Sequence, residues 1–266
     1  MTNILEFATH QHVAVLTLND PSTRNSLGSD ELFEAFEKAA STINADITVR
    51  VVVLTATGTV FCSGGNLRQM QAKEGMFGGT APEIAGQYER GIQRIPRALF
   101  QIDVPTIAAV NGPAIGAGCD LACACDIRIA STKALFAESY GKVGLVPGFG
   151  GTWFLPRIVG YSRAAEMAFG GAPLDAGEAL KAGLVSRVLA PEALMQDVMN
   201  LAERIAANPP YVLRWTKRLL RESHSLSLDK TLNLAAAYQE MAHGTADHAE
   251  GVNALLEKRA PVFTGN

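Results

Sequence analysis

The sequence predicts an α/β protein in which strands and helices alternate over the first part of the chain and a helical stretch closes it. Three observations carry this expectation. Residues 49–54 and 106–110 are continuous apolar runs with β-branched members, as in strands covered on both faces. Each run leads to a glycine-rich loop that opens a helix-like stretch. Beyond about residue 150 the apolar spacing turns helical almost throughout.

Residues 4–7 and 13–18 alternate as two strands joined by a polar turn. Ser29 is placed to cap a helix whose stripe is Leu32, Phe33, Phe36, Ala39, Ala40 and Ile43. The strand 49–54 precedes the first glycine loop, Phe61-Cys62-Ser63-Gly64-Gly65-Asn66-Leu67. Residues 71–80, with three glycines around Met76 and Phe77, read as a mobile segment and a candidate pocket lid. A helix over 82–101 then leads to the strand 106–110 and the second loop, Asn111-Gly112-Pro113-Ala114-Ile115-Gly116-Ala117-Gly118-Cys119-Asp120-Leu121. Short strands at 127–129 and 134–136 come before a third glycine loop at 144–151. A last strand falls near 184–188, and helices are expected at 191–207, 211–222, 227–243 and 246–258, with Pro209-Pro210 breaking two of them. The strand–strand–helix unit recurs. This divides the chain into a core over 1–190 and a helical region over 191–266.

Bulk properties narrow the function classes. A chain of 266 residues with 48% apolar and 18% charged residues has the composition of a globular enzyme. A net charge of −3 and a pI near 6.0 argue against a nucleic-acid partner. No apolar run reaches the length of a membrane span, and no secretory signal is visible, so a cytoplasmic protein is expected. Cys62, Cys119, Cys123 and Cys125 match no familiar zinc spacing and have no His nearby. They read as reduced, buried thiols rather than as a metal site.

The two glycine loops are the chemical signal. Glycine at a strand-to-helix junction lets backbone approach a ligand closely, and the free N–H groups of a helix start bind anions. Two such loops facing each other would hold the oxyanion of a thioester enolate, with the acid Asp120 one helical step away. No phosphate loop, dinucleotide fingerprint, zinc-protease motif or nucleophile elbow is present, and the five histidines lie outside the loops.

At these residues the chain resembles the crotonase, or enoyl-CoA hydratase/isomerase, superfamily. The resemblance covers Arg24-Asn25-Ser26-Leu27, both glycine loops, G-L-V-P-G-x-G-G-T, L-P-R-I-V-G, A-G-L-V-S-R-V and Glu257-Lys258-Arg259, in order from 24 to 259. It implies a crotonase-like spiral of strand–strand–helix units with a C-terminal helical trimerisation region. Homo-trimers or dimers of trimers are implied, as is an acyl-CoA substrate whose coenzyme A is part of the substrate and not a separate cofactor. Carried over by position, the oxyanion donors are the N–H groups of Ser63 and Ala117. Arg24, Asn25, Leu27, Gly64, Gly65, Asn66 and Leu67 meet the coenzyme. Lys258 either reaches its phosphates, from a neighbouring subunit, or ends its helix in solvent.

The chain departs from the hydratase pattern at the acids. Of the two glutamates that hydratases use, the first falls on Asp120 and the second on Tyr140. Tyrosine is a proton donor and not a ready base. No Asp or Glu occurs from 139 to 165, so the third loop supplies no acid. Glu138 shares a face with Tyr140 if the stretch is extended, and either replaces the second glutamate or makes a structural pair. Asp120 itself either serves catalysis or braces its helix. Enoyl-CoA hydration leads the readings. The alternatives are isomerisation with Asp120 as the single base, another thioester reaction of the superfamily, and a non-catalytic acyl-CoA binder.

Overall fold

The structure is a computed structural model and describes residues 4–266. Among the described residues nine strands form two sheets. The larger runs in the order β1 (Leu5–His10), β2 (Val13–Leu18), β3 (Val51–Ala56), β4 (Thr106–Val110), β6 (Ile127–Ser131) and β9 (Arg187–Leu189). Only β1 pairs antiparallel; the rest of this sheet is parallel. The smaller sheet joins β5 (Ala114–Ile115), β7 (Leu135–Ala137) and β8 (Leu174–Asp175).

Both faces of the large sheet are covered, which explains why its central strands carry no alternation. Every residue of β4 is buried. On one face β3 contributes Val52 and Leu54 to a core with Phe33, Phe36 and Ile43 of α1 (Asp30–Ala45) and with α4 (Arg94–Phe100). On the other, Val51, Val53, Ile107, Ala109 and Ile129 pack against Leu194, Val198, Ala202 and Ala206 of α9 (Pro191–Ala206). The helix that begins at 191 is thus the second cover of the sheet.

Ser29 caps α1, its side chain accepting from the Leu32 N–H. The helix expected over 82–101 is two, α3 (Ala81–Arg90) and α4, because the backbone at Gly91 leaves the helical region. In the segment expected to be mobile, α2 (Leu67–Ala72) ends and a 3-10 turn at Gly75–Phe77 buries Met76 and sets Phe77 against the core. Between β4 and β6 lies α5 (Ala117–Cys123), buried along its whole length. After the third glycine loop come α6 (Gly151–Val159), α7 (Tyr161–Gly170) and α8 (Ala176–Lys181).

α10 (Pro210–Glu222), α11 (Leu228–His243) and α12 (Ala246–Glu257) complete the chain. α10 is tied to the sheet by buried Lys217, which contacts Asp126 Oδ2 at 2.8 Å and donates to the Val104 carbonyl at 2.6 Å. α11 buries none of its residues. Among the described residues no helix is long and apolar enough to cross a membrane. All four cysteines are buried free thiols.

Candidate active site

The first two glycine loops are joined by backbone hydrogen bonds. Cys62 N–H donates to the Pro113 carbonyl at 3.1 Å, and Ile115 N–H donates to the Cys62 carbonyl at 2.9 Å. The approach requires glycine. A Cβ on Gly118 would stand 2.1 Å from the Cys62 oxygen, and one on Gly64 would stand 2.5 Å from the Ile115 oxygen and 3.2 Å from Ala117 N. Gly116 starts α5 with φ of 54° and anchors the loop to β7, its N–H donating to the Ala137 carbonyl at 2.7 Å.

Ala117 is the first residue of α5, and its N–H has no protein acceptor among the described residues. Ser63 departs from expectation. Its N–H donates to the Arg24 carbonyl at 3.1 Å, so that donor is already engaged. Gly65, two residues on, has no protein acceptor for its N–H among the described residues. The parallel bridge between Leu27 and Gly65 uses Leu27 N–H and the Gly64 carbonyl, at 2.8 Å, and leaves the Gly65 donor free.

One turn into α5, Asp120 is fully buried. Tyr140 donates its hydroxyl proton to Asp120 Oδ2 at 2.7 Å, while Oδ1 has no hydrogen-bond partner among the described residues. Glu138 is 1% exposed, and its carboxyl lies against that of Asp120. The stretch is not extended through Tyr140: β7 ends at Ala137, and Glu138 caps a 3-10 turn over Ser139–Val143. The turn nevertheless brings both side chains to Asp120. α6 closes the other side, where a Cβ on Gly151 would stand 2.0 Å from Asp120 Oδ1.

The environment separates the two acids. Burial raises the Asp120 carboxyl to about 6, opposed by Glu138, by the Tyr140 hydroxyl and by Gly151 N–H. Burial, and then the adjacent Asp120 charge, raise Glu138 to about 10. Burial and the same charge push the Tyr140 phenol far above its ordinary range. At neutral pH one ionised acid, one neutral acid and one neutral phenol stand together. The pair titrates as a unit, Asp120 losing its proton first.

The expected coenzyme residues divide into two groups. Arg24, Gly65, Asn66 and Leu67 line a polar cavity of about 430 Å³ together with Ser26 and Arg68. Two guanidiniums at one cavity suit phosphate. Asn25, Leu27 and Gly64 do not line it, and the Gly64 carbonyl instead accepts from Leu27 N–H. Asn25 is buried with φ of 55°, donates to the Thr57 and Val60 carbonyls at 3.0 and 2.8 Å, and accepts from Asp20 N–H. Leu27 is core. The Asn66 side chain caps α2, accepting from Arg68 and Gln69 N–H groups. Lys258 ends α12 in the left-handed conformation, exposed, and does not line this cavity. Sequence reasoning missed Arg68, which lay one residue past the quoted motif, and Gly151, whose role depends on where α6 meets Asp120.

Known proteins resemble this chain over nearly its whole length. The family model for enoyl-CoA hydratase/isomerase matches residues 8–266. The chain is 37% identical over 253 residues to the 1,2-epoxyphenylacetyl-CoA isomerase of Escherichia coli K12, with 95% of each chain covered. It is 34% identical over 254 residues to the crotonyl-CoA hydratase of Syntrophomonas wolfei, again with 95% of each covered. The crystal structure of an enoyl-CoA hydratase from Bacillus anthracis superimposes with a TM-score of 0.92 at 32% identity, covering 99% of this chain and all of the other. The chain therefore belongs to the enoyl-CoA hydratase/isomerase family, the crotonase superfamily. It is an enzyme of that family, acting on acyl-CoA.

Proposed function

We propose that the protein hydrates 2-enoyl-CoA thioesters, with Asp120 as base, Glu138 as acid and the N–H groups of Gly65 and Ala117 as the oxyanion hole. One observation carries the reading: Asp120 and Glu138 are two buried carboxyls held against each other beside the joined glycine loops. Two acids whose affinities for protons are pushed apart supply a base and an acid together.

The reaction balances as follows. Asp120 Oδ1 takes a proton from water while the water oxygen bonds to the β-carbon. The double-bond electrons move onto the thioester oxygen, where the two N–H donors hold them; each such donor is worth about 10²–10³ in rate. Glu138 delivers its proton to the α-carbon. Asp120 then returns its proton to Glu138. The Tyr140 hydroxyl keeps Asp120 ionised and aimed. Acid, base and oxyanion donors are all groups of this chain, so no metal or further cofactor enters the scheme. Arg24 and Arg68 meet the phosphates of the coenzyme.

The helical arm fits a homo-oligomer. α11 has no buried residue, and Leu228, Leu232, Leu255 and Leu256 are exposed. A homo-trimer covering this face, singly or as a dimer of trimers, is the proposed assembly, and light scattering on the purified chain tests it.

A second reading follows from Tyr140, a phenol where a second carboxylate would be the stronger partner. Asp120 then shuttles one proton alone and moves a double bond from the 3- to the 2-position. The test is NMR of crotonyl-CoA and 3-enoyl-CoA in oxygen-18 water. Label at the β-carbon, lost in Asp120→Asn, supports hydration. A migrated double bond without label supports the second reading, and no reaction of either thioester refutes both.

A further inference from the structure

A cavity of about 350 Å³ opens where α6 meets the C-terminal ends of α5 and α10. It shares no lining residue with the cavity of Arg24 and Arg68. The guanidiniums of Arg128, Arg157 and Arg221 line it, and Asp126 is the single acid among its described lining residues. Each guanidinium is held from behind. Arg128 donates to the Leu184 and Cys125 carbonyls at 2.7 and 2.6 Å, Arg157 to the Trp153 carbonyl at 2.7 Å, and Arg221 to the Phe100 carbonyl and to Asp126 Oδ1. Each keeps at least one further N–H group without a protein acceptor among the described residues. Aromatic rings fix two of them. Arg157 lies over Trp153 at 4.2 Å, Arg221 lies over Phe100 at 4.3 Å, and the two rings meet edge to face at 5.4 Å. Asp126 is already shared by Lys217 and Arg221, and Arg128 and Arg157 meet no carboxylate among the described residues. Four cations thus stand with one acid, an excess of three positive charges in a chain whose net charge is −3.

We propose that this cavity is a second anion site, which binds a polyphosphate group, either free or carried by a nucleotide. The assignment does not rest on the thioester reading. Chemistry sets the ligand class: the planar fork of arginine matches phosphate oxygens, and hydrogen bonds between two ionised partners are the strong ones. Charge sets the valence. Guanidiniums around one space repel each other, and an anion of several charges placed among them turns that repulsion into attraction. The carbonyl and ring contacts hold the side chains in place beforehand, so binding orders little. Trp153 and Phe100, 40% and 37% exposed, stand beside the guanidiniums and offer aromatic surface to the base of a nucleotide. A bracing role alone accounts for the carbonyl contacts but leaves the surplus charge and the remaining donors without a partner.

Calorimetric titration of the full-length protein with tripolyphosphate, ATP and inorganic phosphate, at constant ionic strength and without added metal, tests this. Tripolyphosphate is expected to bind at least ~10-fold more tightly than inorganic phosphate, since each further charge-assisted hydrogen bond is worth that much. Bound ligand also raises Tm. In Arg157→Gln, with folding checked by circular dichroism, the affinity falls by ~10-fold. In Arg24→Gln, at the coenzyme cavity, it stays within ~2-fold, because the two sites share no residue. A second measurement needs no arginine variant. Trp153 and Trp215 are the two tryptophans of the chain, so Trp215→Phe leaves Trp153 as the only one, and its emission is expected to change as the ligand draws on the Arg157 that covers it. ATP bound more tightly than tripolyphosphate identifies a nucleotide as the source of the phosphate; ATP bound equally or more weakly identifies a free polyphosphate, and both keep the site. No binding of either ligand, tripolyphosphate bound no better than phosphate, an affinity unmoved in Arg157→Gln, a loss confined to Arg24→Gln, or unchanged Trp153 emission each overturn it and leave these guanidiniums as braces of the fold.

Discussion

Tyr140 donates to Asp120 Oδ2 at 2.7 Å, across twenty residues of chain, and leaves Oδ1 as the oxygen of that carboxylate without a hydroxyl partner, buried against Gly151. A phenol at this point is a selective partner. It stabilises the ionised form of Asp120 and is itself too weak an acid to compete for the role of base.

Tyr140→Phe therefore shifts a pH profile. Activity needs ionised Asp120 and rises with pH through about 6. Without the hydroxyl the Asp120 carboxyl holds its proton more tightly, so the acidic limb of kcat/KM moves upward, by about one pH unit for a charge-assisted hydrogen bond. The plateau falls by about tenfold. A limb that stays in place or moves down contradicts the role given to Tyr140.

Glu138→Gln separates stability from activity. The folded-state carboxyl, at about 10, lies above its ordinary value of 4.5, so folding favours the protonated form. The sign follows: with rising pH the unfolded chain ionises first, and the wild type loses stability from about pH 5 upward. Glutamine does not titrate. The variant is expected to be more stable than the wild type above pH 7, by on the order of a few kcal/mol, with a margin that widens up to pH 9. Hydration falls by ~10²–10⁴. Urea melts at three pH values and one rate measurement check both parts.

Gly151→Ala tests the wall behind Asp120. The added Cβ would lie 2.0 Å from Oδ1, so the carboxylate must turn away from its position. Displacements of about 1 Å at a reacting group cost on the order of 10² in rate. The expected outcome is a fall of that size in kcat/KM with a native circular dichroism spectrum, and an unchanged rate refutes it.

Lys217→Ala acts on the fold away from the reacting acids. The ammonium is 5% exposed and joins Asp126 to the Val104 carbonyl. Its removal leaves the partly exposed Asp126 carboxylate with Arg221 as its cation, at 3.0 Å, and the buried Val104 carbonyl without its donor, and costs on the order of 2 kcal/mol. Denaturant titration reads this directly; a loss below about 1 kcal/mol contradicts it.

The parts of the site visible in the sequence are those encoded by local rules. Glycine loops after apolar runs placed the two backbone turns, and the order of the family markers put Asp120 and Tyr140 at the positions of the two hydratase glutamates. The Ser29 cap and the stripe of α1 follow from spacing alone. What escaped depends on contacts between distant segments. The Ser63 N–H is engaged because residue 24 arrives beside it, and no local pattern announces that hydrogen bond. Asn25 and Leu27 look like ligand residues in a polar loop, but the loop turns them inward. The break at Gly91 was hidden because the apolar spacing continues across it. Glu138 and Tyr140 share a neighbour through a 3-10 turn, where a strand had been the assumption.

The measurement that tests the account most directly is infrared spectroscopy of the carboxyl groups in the folded enzyme at pH 8, compared with Glu138→Gln. The account predicts a protonated-acid carbonyl band that vanishes in the variant, together with an ionised carboxylate that vanishes in Asp120→Asn. If Glu138 is ionised at pH 8, it holds no proton to deliver to the α-carbon, and the division of labour between the two acids is wrong.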